Sequence, residues 1–145
     1  MSNYAYVATR ARSRRSRLLP AEAYNQLLNL EHAEIARYIQ DLEYRREIDR
    51  YGSTLSGADL IETALVDNLA KDVGDFLSFS KGKLRDILHV YAEKYRIENL
   101  KNIVRGINQN MDKQNLERLV CPINDSDKEL YNKLYDSKTV EDMVS

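Results

Sequence analysis

The residues of this chain whose types could do chemistry are one thiol, two imidazoles and a cluster of arginines. Cys121 is the only cysteine, and His32 and His89 are the only histidines. They lie far apart in sequence and show no metal-ligand spacing. A lone thiol also excludes an intramolecular disulfide and accords with a reducing compartment. His89 falls off the apolar stripe of its segment and reads as a solvated helix residue, His32 as a first-turn residue. Cys121, beside Pro122, reads as a small apolar residue at a helix end. The five glycines are scattered rather than gathered in a phosphate loop, and no serine sits in a nucleophile elbow. The expectation is therefore no catalytic site, no cofactor, no metal and no small-molecule ligand.

The arginines are more pointed. The stretch RARSRRSR carries Arg10, Arg12, Arg14, Arg15 and Arg17, and no acid occurs among the first twenty residues. That segment bears +5, while the rest of the chain bears −6. A nucleic-acid arm would bind through phosphate contacts and weaken steeply with salt. A lipid-headgroup helix would need a strong apolar face, and this one is rich in alanine. At 100° per residue Tyr4, Val7, Ala8, Ala11, Leu18 and Leu19 share one arc, so the stretch reads as an amphipathic helix. Its arginines would meet acids of its own body or of neighbouring chains. We take Arg10, Arg12, Arg14, Arg15 and Arg17 as a candidate interface; the alternative is a helical nucleic-acid-binding module. Glu43 and Glu47, near Arg45, Arg46 and Arg50, read as a salt-bridged surface face.

These residues must be positioned by helices. The 145 residues are 43% hydrophobic and 31% charged, with two prolines, which suits helices joined by short turns. No run approaches the ~18 apolar residues needed to span a bilayer, and the apolar start is too short for a signal-peptide core. Pro20 closes the first helix and opens a second. Gly52 is a C-cap, and Ser56 caps a long helix over 57–77 with Ile61, Ala64, Leu65, Leu69, Val73, Phe76 and Leu77 as its stripe. Ser80 caps another over 82–107. Its Leu84–Tyr95 and Ile97–Ile107 stripes do not join in phase, which predicts a kink near Arg96. Helices over Asp112–Leu119 and in SDKELYNKLYDS follow. Nothing alternates with period two, so the expected fold is all-α.

YNQLLNLEHAEI from Tyr24 resembles YNKLYDSKTVED from Tyr131, at an offset of 107 residues. A repeat would divide the chain into a basic helix over 1–19, a helical unit over 20–126 and the start of a second, truncated unit over 127–145. Tyr24–Ile35 and Tyr131–Asp142 should then share a local fold. Leu130, Leu134, Val140 and Met143 would lack cover, giving fraying or self-association at the C-terminal end.

The order YAYVATRARSRRSRLLP, YNQLLNLEHAEIARYIQDLEYRREID, then GADLIETALVDNLAKDVGDFLSFSKGKLRDILHVYAEKYRIENLKNIVRG resembles the N-terminal part of the C subunit of archaeal A-type ATP synthases. That family also holds bacterial V-type homologues and, more distantly, the d subunit of vacuolar ATPases. The resemblance runs from about Tyr4 to Gly106, weakly to Val144. It implies a pseudo-threefold, funnel-shaped, non-catalytic protein at the cytoplasmic face of the membrane. Such a protein joins the central shaft to the membrane rotor ring and transmits torque for proton or sodium translocation. The partners it implies are the other ATP synthase subunits, with membrane association only through them.

Overall fold

Helical periodicity governs the chain throughout. The computed structural model describes residues 3–137, 139 and 141–143. Among them are eight α-helices, one 3-10 turn and no strand, so the chain is all-α. The helices are α1 (Tyr4–Arg15), α2 (Ala21–Leu27), α3 (His32–Gln40), α4 (Arg45–Tyr51), α5 (Gly57–Phe79), α6 (Lys83–Asn108), α7 (Lys113–Arg118) and α8 (Asp125–Tyr135). They form two compact units that divide within α5, one over residues 3–69 and one from Ala70 onward.

In the first unit the core is Ala36, Ile39, Ile48, Leu60 and Ala64, flanked by Tyr38, Tyr44, Tyr51, Leu55 and Ile61. α3 starts with a capping box in which the Glu31 N–H donates to Glu34 Oε2 at 2.9 Å, satisfying a donor that the first turn leaves open. It ends at Asp41, and the chain turns before α4. Gln40 Nε2 donates to Asp49 Oδ1 at 2.6 Å and ties the two short helices together. That turn overturns the expected salt-bridged face, because Glu43 and Glu47 do not share one helix. Glu47 is buried in the first turn of α4, Arg45 reaches Asp41, and Arg50 pairs with Asp67 at 3.0 Å.

The second unit is built on α6. Its inner face is Leu88, Ala92, Tyr95, Arg96, Asn99, Ile103, Gly106 and Ile107, all buried or half-buried. The spacing is that of one uninterrupted helix, and α6 runs through Arg96 without a break. The predicted interruption is therefore wrong. The apolar stripe slips in phase only because two of its inner positions are polar. Arg96 donates through Nε to Asp127 Oδ1 at 2.8 Å and through Nη2 to the same oxygen at 2.7 Å. It also bonds Glu93 on its own helix. Burial is the largest single influence and works against the Arg96 charge, but the bond to Asp127 together with the charges of Asp127 and Glu93 outweighs it and holds the guanidinium pKa above its ordinary value. Asn99 Nδ2 donates to the Cys121 carbonyl at 2.9 Å, and the Cys121 N–H donates back to Asn99 Oδ1.

Around this seam lie two apolar clusters. One joins Ile103, Ile107, Leu116, Val120, Tyr131 and Tyr135; the other joins Ala70, Leu77, Ala92 and Ile123, with Cys121 packed against it. A Cβ at Gly74 would stand 2.5 Å from the Ile123 carbonyl oxygen, so α5 meets the α7–α8 connection backbone to backbone. Asp112 caps α7 by accepting from the Asn115 N–H at 2.8 Å, and Asn124 caps α8 by accepting from the Asp127 N–H at 2.8 Å. Ser80, expected to cap α6, is instead buried. The N-cap is Gly82, whose φ of 59° and ψ of −147° suit only glycine.

The end of the chain is better covered than the sequence suggests. Leu134 and Met143 pack against the Tyr131–Tyr135 cluster, because α8 lies along α6 and α7; Leu130 stays exposed, and Val140 lies outside the described residues. The two matching segments share a plan. In the first, the end of α2 and a turn lead to the Glu31–Glu34 capping box; in the second, Thr139 and Asp142 exchange reciprocal hydrogen bonds beyond the end of α8. The second cap arrives one residue further along than the offset at the tyrosines. Tyr131 is buried whereas Tyr24 is exposed, so the plan recurs without its packing.

Two expected outcomes follow from this packing. Arg96→Met should lower unfolding free energy by about 3 kcal/mol, because it leaves Asp127 buried without its counter-charge. In urea denaturation, Arg96→Met/Asp127→Asn should recover part of that loss. Burial, chiefly, pushes the Tyr135 phenol up to about 12. Its neutral form is thus favoured in the fold. The associated stability is complete below pH ~10, the ordinary phenol range, and is lost as pH rises towards 12. Thermal melts across that window should show a decline that is smaller in Tyr135→Phe.

Candidate partner interface

The arginine helix owes its shape to local terms more than to a core. α1 ends at Arg15, and the chain leaves the helix through a turn at Ser16–Leu18 before Pro20. The arc predicted from a helix running to residue 19 is therefore broken. Val7 is its buried member and Leu19 is half-buried, while Tyr4, Ala8, Ala11 and Leu18 stay exposed. Arg12, Arg14 and Arg15 fall in the last turn, where positive charge complements the helix dipole.

The five candidate arginines separate by what they touch. Arg10 folds back on its own helix, donating through Nε and Nη2 to the Tyr6 hydroxyl at 3.1 and 2.9 Å. Its guanidinium carbon lies 5.4 Å from the Tyr6 ring centre, a cation–π arrangement. Arg17 reaches another element: its Nη1 donates to Glu43 Oε1 at 3.0 Å and Oε2 at 3.2 Å. That answers where one of the basic groups goes, to an acid of its own unit, as sequence reasoning allowed. Glu43 as the particular partner was missed, since it sits in the α3–α4 turn rather than on a helix face. Arg14 is half-buried. Arg12 and Arg15 point to solvent and form no ion pair among the described residues. Nearby, burial raises the Tyr44 phenol pKa, with Tyr24, Glu43 and Glu47 adding to it. What this arrangement offers is an exposed cationic strip suited to carboxylates or phosphates. His32 and His89 are exposed and distant from it in sequence, and no metal-holding cluster occurs among the described residues. No helix among them is long and apolar enough to cross a membrane.

The comparisons with known proteins agree with the resemblance. The chain belongs to the ATP synthase (C/AC39) subunit family, whose profile matches residues 7–145. Among its relatives is the A-type ATP synthase C subunit of Haloferax volcanii, 38% identical over 99% of this chain and 41% of the relative. The protein of the same name from Methanosarcina acetivorans is 43% identical over 72% of this chain and 29% of the relative. That from Archaeoglobus fulgidus is 33% identical over 97% and 41%. The chain thus spans about two fifths of the length of the first of these relatives. No solved structure matches it.

Arg17→Ala should cost less than about 1 kcal/mol, as both members of the pair are substantially exposed. Chemical denaturation checks this; a larger loss would mean that the pair anchors α1.

Proposed function

We propose that this chain serves in a rotary A-type or V-type ATP synthase as part of a non-catalytic central-stalk component, coupling the central shaft to the membrane rotor ring. The observation that carries the reading is the family match over residues 7–145. The physical character of the second unit supports it. Torque passes without loss only through a body that does not yield, and close-packed interiors of low compressibility meet that need. α6, 26 residues long and therefore about 39 Å from end to end, is held along its inner face by both apolar and ionic contacts. In this reading the ion moved is a proton or sodium, the location is the cytoplasmic face of the membrane, and contact with lipid comes through partner subunits. The helical units over 20–126 and from 127 would belong to a larger repeated body.

Within that role, Arg12 and Arg15, with Arg10, Arg14 and Arg17 around them, form a face for acidic residues of neighbouring subunits. Affinity-tagged chain expressed in an archaeal host should recover other ATP synthase subunits. Arg12→Glu/Arg15→Glu should reduce that recovery several-fold while the circular dichroism melt is unchanged. Recovery of none of these subunits, together with salt-sensitive binding of RNA or DNA by the wild type, would overturn the proposal in favour of a nucleic-acid module.

A further inference from the structure

A strip of α6 centred on Ile97, about 100° round the helix from Arg96, is apolar and partly exposed. Val90, Ile97 and Val104 recur at intervals of seven residues, and Leu100 follows Ile97 by three. Val90 is 75% exposed and Ile97 49%. Leu100 also packs against the Ile103–Tyr135 cluster and Val104 is half-buried, whereas Val90 and Ile97 belong to none of the apolar clusters among the described residues. β-branched residues in the first position of a seven-residue repeat mark the seam of a coiled coil; of the fourth positions Leu100 carries leucine, while Glu93 is paired with Arg96 and Ile107 is buried in the core.

The surface has the corresponding relief. Ile97, Leu100, Lys101 and Val104, with Arg105 beside them, line an open depression of about 330 Å³ whose walls are almost wholly apolar. Positions i, i+3, i+4 and i+7 of one helix are the four that surround a hole into which a partner helix inserts a side chain. One edge of the stripe is basic: Lys94, Lys101 and Arg105 lie along it, against a single acid there, Glu98, which pairs with Lys101. That pair is exposed on both sides and weak, so the edge keeps net positive charge. Within the strip itself Glu93 is engaged by Arg96.

We propose that this face of α6 docks an amphipathic helix of another protein, one with large apolar residues at heptad spacing and acidic residues beside them, packing knobs into the Ile97–Val104 hole. The charges flanking such a seam select the partner, and a basic edge selects an acidic one. This inference goes beyond the rotary reading and does not rest on it, since it concerns only the chemistry of one face.

The test uses the whole 145-residue chain and two synthetic helices of about three heptads, each with Ile and Leu in the seam, flanked by Glu in one and by Lys in the other. Fluorescence anisotropy should show the Glu-flanked peptide binding at least about ten-fold more tightly than the Lys-flanked one. Ile97→Asp should abolish binding of the Glu-flanked peptide without changing the thermal melt, because that side chain is half-exposed. Lys94→Glu/Lys101→Glu should invert the preference between the peptides. Failure of the Glu-flanked peptide to bind, equal binding of both, or binding unaffected by Ile97→Asp would overturn the proposal. So would a dimer in sedimentation that Ile97→Asp dissolves, which would make a second copy the occupant. None of these results would alter the recovery of ATP synthase subunits through the arginine face, so the two readings fail separately.

Discussion

The seam in which α6 holds Arg96 against Asp127 and Asn99 against the Cys121 peptide is the constraint on which the second unit depends. Apolar burial is non-directional; it would bring α7 and α8 to α6 but would not choose among neighbouring registers. The polar contacts do choose. Asn99 offers both an acceptor and a donor to the backbone N–H and C=O of one residue, so the α7–α8 connection can sit at one height only. Arg96, a turn earlier on the same face, then finds Asp127 in the first turn of α8, where the helix dipole favours an acid. The close approach of Gly74 to the Ile123 carbonyl is compatible with that height and would clash if the connection moved towards α5.

The first unit is assembled differently. Its helices are short, and much of their order comes from ends rather than faces: a capping box at Glu31, a side-chain bridge from Gln40 to Asp49, and ion pairs at the rim. α1 joins it with Val7 as its buried residue and the exposed Arg17–Glu43 pair. An element held by so little is among the first to open locally. In the proposed role, such weak anchoring would let the arginine-bearing helix adjust to a partner surface while the core of Ile39, Ile48 and Ala64 stays in place.

How far all this could be read in the sequence follows from which interactions leave a pattern. The long helices were legible because apolar residues recur with helical period, and α5 and α6 begin and end within two residues of their expected limits. The supposed kink at Arg96 arose because hydrophobic periodicity is blind to a polar side chain that is buried by virtue of a partner 31 positions away. Glu47 escaped for a related reason, since a buried carboxylate looks the same in sequence as an exposed one. The arginine strip was visible as a cluster, but not the division of labour within it. That Arg10 stacks on Tyr6 and Arg17 reaches Glu43, leaving Arg12 and Arg15 outward, depends on where α1 ends, and no residue type announced a stop at Arg15.

The turn between α5 and α6 consists of Ser80, Lys81 and Gly82, with Gly82 in a backbone region closed to other residues. Surface turns usually absorb insertions and deletions with little effect. This one has no slack, and each residue added to it must be accommodated by winding α6 about its axis by about 100°. One extra residue would swing Arg96 and Asn99 off their partners and bring Lys94 and Glu98 to the inner places that Tyr95 and Asn99 hold. Length variation among homologous chains should therefore be excluded from these three positions.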